Sequence, residues 1–202
     1  MKRLALRPAA RQLSESKTPG RPSRGFHNSQ FRIQNSEFRI PNSYRVGIGN
    51  DLHRLAAGCQ LILGGVRIPF DKGPVGHSDG DALLHAICDA LLGAAALGDI
   101  GRHFPDTSPQ WHNAPSLIFL RQVGKLLAAA GYKIVNIDST VGLEKPKLAP
   151  HIPRMVRKIA AALHIKAGQV SVKAKTGEGL GAIGRGEAVR ADAVALIQSI
   201  RP

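Results

Sequence analysis

Three side chains from two parts of the sequence have the chemistry of a metal site. Asp51 and His53 stand two residues apart directly after a β-branched segment, and residues two apart on extended backbone point to the same side. His85 lies in a segment with helical apolar spacing. Two imidazole nitrogens and one carboxylate oxygen suit Zn²⁺, with a fourth position open for water or substrate, as in catalytic zinc sites. We therefore predict zinc at Asp51, His53 and His85.

Carboxylates one helical turn to either side of His85 leave a second interpretation open. Asp81 and Asp89 lie four residues before and after it, on the same helix face. Asp89 could accept a hydrogen bond from the ring nitrogen of His85 that faces away from the metal. Alternatively, His85 is a surface histidine of the helix that is hydrogen-bonded to Asp81 or Asp89, with no metal involved.

The segment from His77 to Asp81, His-Ser-Asp-Gly-Asp, adds an anion-binding element beside His85. A serine followed three residues later by an acid, ahead of an apolar run, is typical of a helix start at Ser78. Helix N-termini attract anions because their backbone N–H groups are unpaired. Helix capping alone accounts for the acids, so we interpret Asp79 as structural.

A second group of polar residues lies nearer the C-terminus. Residues 173–181 read Lys-Ala-Lys-Thr-Gly-Glu-Gly-Leu-Gly, and lysines, a hydroxyl and exposed backbone N–H groups suit phosphate oxygens. Glu178 offers a hard oxygen ligand for Mg²⁺ or Mn²⁺. Neither a Walker A nor a dinucleotide-binding glycine order is present, so an ordinary turn is the alternative. The segment 145–147, Lys-Pro-Lys, is equally open, since proline exposes backbone groups that could contact a base.

The elements that must position these residues alternate between strand and helix, which predicts a mixed α/β or α+β fold. We expect order to begin near Tyr44. The predicted strands are 44–48, 60–68, 132–141 and 169–174, with a hairpin turn at 56–58. The predicted helices are 81–97, 116–130 and 150–163. The predicted loops are 98–115 and 177–186, and residues 188–200 fit a strand or a helix.

Composition excludes several classes of protein. The chain has 202 residues and is 43% hydrophobic, which excludes disorder throughout. No apolar run approaches the ~18 residues of a membrane-spanning helix. Two cysteines are too few for a disulfide scaffold.

The net charge of +14 suits a nucleic-acid-binding protein until its position is considered. Residues 1–44 hold nine basic and two acidic residues, so half of the charge lies on a fifth of the chain. This part contains a seven-residue repeat over 28–41 and too few apolar groups for a core. We predict a disordered extension at 1–43, either a start-site artefact or a plastid-type transit peptide, and a folded domain at 44–202. We expect no nucleic-acid and no membrane partner.

From residue 45 to 200 the chain resembles the 2-C-methyl-D-erythritol 2,4-cyclodiphosphate synthases of the non-mevalonate isoprenoid pathway. The matching segments are 45–49, 51–53, 63–69, 77–85, 89–101, 104–106 and 184–187. The resemblance implies a single compact α+β domain with a sheet covered by helices on one side. It also implies a homotrimer around packed sheets, with active sites between subunits, and a cytoplasmic location in a bacterium.

The resemblance implies a phosphorus–oxygen lyase reaction. In 4-diphosphocytidyl-2-C-methyl-D-erythritol 2-phosphate, the 2-phosphate attacks the β-phosphorus and CMP leaves, which closes a cyclic diphosphate. Zinc would polarise the β-phosphate, and Mg²⁺ or Mn²⁺ at Glu178 would neutralise charge between the α- and β-phosphates. His77 and Thr176 are implied as the catalytic residues that polarise and orient phosphate oxygens.

The resemblance also implies substrate contacts. Those for the methylerythritol, ribose and phosphates are Ser78, Asp99, Ile100, Gly101, Phe104, Asp106 and Lys175. Those for cytosine, largely through the backbone, are Leu143, Pro146, Lys147, Leu148 and Ala149. Arg185 would bind an isoprenoid diphosphate in a central cavity of the trimer, although Ala182 replaces an aromatic residue that lines this cavity in some members.

Two other functions remain open at this point. A zinc-dependent phosphohydrolase would use the same ligands to activate water in place of an internal phosphate. A non-enzymatic protein would be a trimeric isoprenoid-diphosphate binder, or would bind nucleic acid through its basic extension.

Overall fold

A five-stranded sheet organises the protein in the computed structural model, which describes residues 43–200. The strand order is β4-β1-β7-β5-β6, and β2 and β3 form a separate hairpin. The strands are β1 Tyr44–Ala57, β2 Leu61–Leu63, β3 Val66–Ile68, β4 Lys72–Pro74, β5 Tyr132–Gly142, β6 Val170–Lys175 and β7 Ala188–Ser199. The helices are α1 Ala82–Ala94, α2 Ile100–His103, α3 Ser116–Ala129, α4 Ile152–Leu163 and α5 Gly181–Gly184.

The sheet is mixed. β1 pairs antiparallel with β4 and β7, and β7 pairs antiparallel with β5. β5 and β6 are parallel, and α4 lies between them in the chain, as a parallel connection requires. These features confirm the predicted α+β class. The predicted extension, apart from Ser43, lies outside the described residues.

The helices pack on one face of the sheet, and α1 makes the closest approach. Gly47 and Gly49 of β1 face α1, and a Cβ atom on either glycine would lie 2.1 Å from a carbonyl oxygen of that helix. The side of α1 that meets the strand carries Ala86, Ala90 and Ala94, which are buried. Small residues on both elements therefore bring the α1 backbone against β1.

The opposite face of the sheet is exposed and, along β1, largely apolar. Tyr44, Val46, Ile48 and Leu52 alternate along β1 with the residues that face the helices, and their side chains are 59–73% exposed. Val194 of β7 lies on the same face and is also exposed. The helices therefore cover one side of the sheet, as predicted.

Four local predictions were wrong. β1 continues to Ala57, so Asp51 and His53 lie within the strand and not after it. Residues 60–68 form two strands, because Gly64 and Gly65 adopt positive φ angles and reverse the chain. The hairpin expected at 56–58 does not pair the first two strands, since β1 pairs with β4. Short helices occur in the predicted loops, at α2 and α5.

The segment 188–200, for which the sequence fitted either a strand or a helix, forms the strand β7. In β7, Val189, Ala191, Ala193, Ala195 and Ile197 are buried at a period of two. Alanine favours helix in isolation, which obscured this alternation. Across residues 43–200, no helix has the length and apolar character needed to cross a membrane.

Candidate active site

Two elements bring the three predicted metal ligands together. Asp51 and His53 project from β1 toward the helices, and His85 projects from α1. Oδ2 of Asp51 lies 3.0 Å from Nδ1 of His53 and 2.9 Å from Nδ1 of His85. One donor atom from each residue lies within 4.8 Å of the other two. The close packing of α1 on β1 thus assembles the predicted cluster.

The electrostatics of this cluster favour a cation. Burial raises the pKa of Asp51, but the neighbouring His53 and His85 outweigh burial and hold it well below its ordinary value. Burial lowers the pKa of His85, but the hydrogen bond to Asp51 and the negative charges of Asp51, Asp81 and Asp79 together outweigh burial and raise the pKa overall. Asp51 is therefore an anionic carboxylate between two imidazoles.

The donor set fits a divalent metal ion. Nδ1 of His53 is buried and has no hydrogen-bond partner among residues 43–200, although it points toward Asp51. An unpaired buried nitrogen is costly unless something binds it. Two imidazole nitrogens and a carboxylate oxygen form three corners of a tetrahedral site, and the adjoining pocket gives access to a fourth.

The other ring nitrogen of His85 has a hydrogen-bond partner that was not predicted. Nε2 lies 2.8 Å from the hydroxyl oxygen of Ser116 and 3.3 Å from that of Ser78. The predicted bond to Asp89 was wrong, because Asp89 accepts a hydrogen bond from the backbone N–H of Ile100 at the start of α2. The alternative bond to Asp81 is also absent from the described residues.

Asp81 is the N-cap of α1, in place of the predicted Ser78. Its carboxylate accepts hydrogen bonds from the backbone N–H groups of Leu84, Gly64 and Gly65. The side chain is fully buried, and burial is the main cause that raises its pKa to about 6. Asp81 therefore ties the β2–β3 turn to the helix that carries His85.

Asp79 is structural, as interpreted, but it caps a different helix. Its carboxylate accepts hydrogen bonds from the backbone N–H and the hydroxyl of Ser116, the first residue of α3. The two residues are 37 positions apart. Capping motifs are recognised from residues a few positions apart, so this pairing could not be predicted from the sequence.

A cavity of about 390 Å³ adjoins the cluster and holds most of the residues expected at the sugar end of the substrate. The predicted residues that line it are His53, His77, Ser78, His85, Ile100, Gly101, Phe104 and Asp106. Pro105, Trp111 and Phe119 also line it and were missed. Residue type alone indicated little about a role for these three in the site, although Trp111 is the one tryptophan of the sequence.

Aromatic packing shapes one wall of this cavity. The rings of Phe104 and Phe119 stack with centroids 4.8 Å apart, and Trp111 packs edge-on against both. Asp99 lies just outside the lining, where its carboxylate accepts a hydrogen bond from the backbone N–H of Arg102 and caps α2. Asp99 thus supports Ile100 and Gly101, which do line the cavity.

The second predicted group forms a separate cluster after β5 and β6. The N–H of Leu143 bonds to the carbonyl of Lys175, and Glu144 accepts a hydrogen bond from the N–H of Gly177. The Thr176 hydroxyl donates to Glu178. Lys147, Ala149, Lys175, Thr176 and Glu178 are exposed, Pro146 is partly exposed, and Leu143 and Leu148 are buried.

The sheet separates this cluster from the metal ligands within one chain. Asp51 is paired across the sheet with Ala191, Ala191 with Val141, and Val141 with Ala174. Three strand spacings of ~4.8 Å place the two rows roughly 14 Å apart. The structure therefore does not bring Thr176 and Glu178 to the Asp51 cluster. Arg185 also lies apart, in an exposed ion pair with Glu187.

Comparisons with known proteins identify similar sequences and a similar fold. The YgbB family model matches residues 44–198. The 2-C-methyl-D-erythritol 2,4-cyclodiphosphate synthase of Chlorobium phaeobacteroides is 60% identical over 154 residues, 76% of this chain and 97% of its own length. The synthase of the same name from Chloroherpeton thalassium is 57% identical over 156 residues, 77% of this chain and 99% of its own.

A solved structure of a 2-C-methyl-D-erythritol 2,4-cyclodiphosphate synthase in its CDP-bound form is similar in fold. It is 41% identical, with a TM-score of 0.70, and the match covers 76% of this chain and 99% of that one. Sequence and fold therefore agree over the whole domain from β1 to β7. The chain belongs to the YgbB family, the family of the 2-C-methyl-D-erythritol 2,4-cyclodiphosphate synthases.

Proposed function

We propose that this enzyme converts 4-diphosphocytidyl-2-C-methyl-D-erythritol 2-phosphate to 2-C-methyl-D-erythritol 2,4-cyclodiphosphate and CMP. The observation that carries the proposal is the cluster of Asp51, His53 and His85 at the edge of a cavity large enough for a phosphorylated tetritol. The relatives named for this reaction, at 57–60% identity, come from bacteria. We propose a cytoplasmic location if this chain is bacterial too, and a plastid-type organelle if the N-terminal extension is a transit peptide.

Zinc is the metal that the donor set favours. Asp51, His53 and His85 would hold it through one oxygen and two nitrogens, the usual ligands of catalytic Zn²⁺. When bound, Zn²⁺ polarises a phosphate oxygen as a Lewis acid. The carboxylate of Asp51 would partly neutralise such an ion, and its contacts with both imidazoles hold them around one point.

The cavity would bind the methylerythritol 2-phosphate. His77 and Ser78 line it next to His85 and would orient phosphate oxygens. Ile100 and Phe104 offer an apolar wall to the carbon chain, and Asp106 can accept hydrogen bonds from hydroxyl groups. Phosphoryl transfer depends mainly on alignment and charge neutralisation, so these residues would act by holding the 2-phosphate in line with the β-phosphorus.

The cytidine end of the substrate would bind the second cluster, supplied by a neighbouring subunit. The α- and β-phosphates are adjacent in the substrate, whereas the two clusters lie roughly 14 Å apart in one chain, three strand spacings of ~4.8 Å. The apolar sheet face at Tyr44, Val46, Ile48 and Leu52 supports association of subunits. We therefore propose a homotrimer that pairs the clusters of adjacent subunits.

Each residue of the second cluster would have a role in that arrangement. Thr176 and Lys175 are exposed and would contact the phosphates, and Glu178 would hold Mg²⁺ or Mn²⁺. The exposed backbone around Pro146, Lys147 and Ala149 would receive the cytosine, with Leu143 and Leu148 buried beneath it. The CDP-bound relative supports a cytidine site in this family.

Arg185 would bind an isoprenoid diphosphate in the centre of the trimer. The guanidinium is exposed, and Ala182 lines a nearby cavity together with Leu52 and Lys72. Its pairing with Glu187 would have to open for a diphosphate to bind. Loss of geranyl diphosphate binding in Arg185→Ala, measured by calorimetry, tests this role.

Product analysis tests the proposed reaction. Phosphorus NMR of the zinc-loaded enzyme with its substrate should show the cyclic diphosphate, and chromatography should show CMP in equal amount. Linear phosphate products would instead support the phosphohydrolase. Mixing inactive His53→Ala with inactive Glu178→Gln subunits should restore part of the activity, since some interfaces then pair two intact clusters. No recovery in verified mixed trimers would contradict sites between subunits.

A further inference from the structure

A chain of hydrogen bonds runs from His85 away from the Asp51 cluster to the partly buried carboxylate of Asp79. Nε2 of His85 lies 2.8 Å from the hydroxyl oxygen of Ser116, and that hydroxyl bonds to Asp79. The backbone N–H of Ser116 donates to the other carboxylate oxygen of Asp79 at 3.1 Å. Ser116 is fully buried, so water does not compete for its hydroxyl.

The chemistry of these groups gives the chain a direction. A carboxylate only accepts, so the single hydroxyl hydrogen of Ser116 is donated to Asp79. The serine oxygen then accepts from His85, which requires a hydrogen on Nε2. Nδ1 lies 2.9 Å from Asp51, to which it can also donate. A metal ion bound beside Asp51 would replace that second hydrogen and meet the lone pair of Nδ1, because the other hydrogen stays on Nε2. Ser78 is a weaker partner for Nε2, at 3.3 Å.

We propose that Ser116 and Asp79 are positioning residues that hold His85 in the tautomer with hydrogen on Nε2 and present Nδ1 to the metal. Hydrogen-bond partners of this kind fix the ring orientation of metal-bound histidines. The proposal rests on the metal site of the proposed function. It also links that site to the fold, because the same carboxylate caps α3 through the N–H of Ser116.

Ser116→Ala separates positioning from capping, because it removes the hydroxyl and keeps the backbone N–H bonded to Asp79. We expect the affinity for Zn²⁺ alone, measured by chelator competition, to fall about 10- to 100-fold. Ser139→Ala is the matched control, since Ser139 is also buried and its hydroxyl bonds to the carbonyl of Ser171. It should bind Zn²⁺ as tightly as the wild type.

Asp79→Asn should weaken zinc binding, which would not be expected if Asp79 acted only as a helix cap. The asparagine amide can donate to the Ser116 oxygen and turn the hydroxyl toward Nε2, which moves the histidine hydrogen to Nδ1. Zinc affinity should then fall at least as far as in Ser116→Ala. Ser116→Thr keeps the hydroxyl and should restore the affinity. In zinc-loaded wild type, nitrogen NMR should show a slowly exchanging Nε2–H on His85, and Ser116→Ala should lose it.

The outcomes separate this proposal from the proposed function. Unchanged zinc affinity in both Ser116→Ala and Asp79→Asn overturns the positioning role, and so does an equal loss in Ser139→Ala. Neither result affects the assignment of the reaction. Conversely, a wild type that binds zinc but releases linear phosphates contradicts the proposed function, while weaker zinc binding by Ser116→Ala would still support the positioning role.

Discussion

Asp51 and His85 are 34 residues apart in the sequence, and Oδ2 of Asp51 lies 2.9 Å from Nδ1 of His85. This contact depends on how closely α1 lies against β1. Gly49 is two residues before Asp51, and a Cβ atom there would lie 2.1 Å from the carbonyl oxygen of Ala86, the residue after His85. The glycine therefore sets the distance between the strand and the helix that carry the ligands.

Gly49→Ala should separate the two elements and weaken the site. The added methyl group collides with backbone, which cannot yield as a flexible side chain does, and we expect a loss of about 1–3 kcal/mol in unfolding free energy. Urea denaturation and zinc titration measure both effects. Gly168→Ala is the control, because a Cβ there meets no atom within 4 Å. Equal stability of the two variants would contradict the close-packing account.

His53→Ala should remove one metal ligand and abolish turnover. Asp51 and His85 would remain, and two protein ligands do not complete a catalytic zinc site. Elemental analysis of purified protein should show loss of zinc alongside the lost rate. His164→Asn is a matched removal of a histidine, since His164 is exposed at the end of α4 and asparagine tolerates its positive φ angle. Full zinc content and rate in His53→Ala would refute the site.

Removal of the metal should lower both activity and thermal stability. A ligand present at 100 times its dissociation constant stabilises the folded state by about 2.7 kcal/mol. Dialysis against a chelator should therefore lower the melting temperature, and added Zn²⁺ should restore it. The His53→Ala variant should show no such response to Zn²⁺. A melting temperature that is the same with and without metal in the wild type would argue against binding at this cluster.

Asp81 should make stability fall as pH rises. Its folded-state pKa is raised from 3.8 to about 6, mainly by burial, so the folded protein retains a proton that the unfolded chain releases. The contribution is full below about pH 4 and is lost as pH rises through about 6, on the order of 3 kcal/mol. Asparagine at this position does not titrate.

Paired urea denaturation of wild type and Asp81→Asn, both metal-free, isolates this contribution between pH 4 and 7. The unfolding free energy of the wild type, taken relative to the variant, should decrease over that interval. A difference that stays constant with pH, or increases, would contradict the assignment.

Deletion of residues 1–43 should leave folding, zinc binding and turnover unchanged. The family match begins at residue 44, and the relatives are covered almost completely without the extension. A truncated protein that starts at Tyr44 should match the full chain in circular dichroism and rate. If the truncated protein aggregates or loses activity, the extension has a role in the folded enzyme.

Residue type and local spacing were sufficient to predict the candidate metal site. Asp51 and His53 share a side of the strand because side chains alternate along extended backbone. His85 follows the His-Ser-Asp-Gly-Asp segment, and its helix was predictable from apolar spacing. These are properties of short segments, and the sequence was sufficient to predict them and to indicate the family.

Tertiary structure decided which partners each polar group has. The spacing allowed Asp89 as a partner of His85, because residues four apart are neighbours on a helix, but Asp89 bonds to Ile100 and Ser116 takes its place. Asp79 caps a helix that begins 37 residues later. Such pairings join residues that are distant in the sequence, and they depend on how the helices pack together. The local sequence does not specify that packing.

The pairing of the strands in the sheet determines how far apart the two clusters lie. Both groups contain residue types that suit phosphate oxygens, and neither segment indicates how far apart the groups lie. The register from Asp51 through Ala191 and Val141 to Ala174 places them at opposite sides of β7 and β5. Sequence thus determined which residue types each group contains, and the pairing order of the strands determined that the two groups lie apart within one chain.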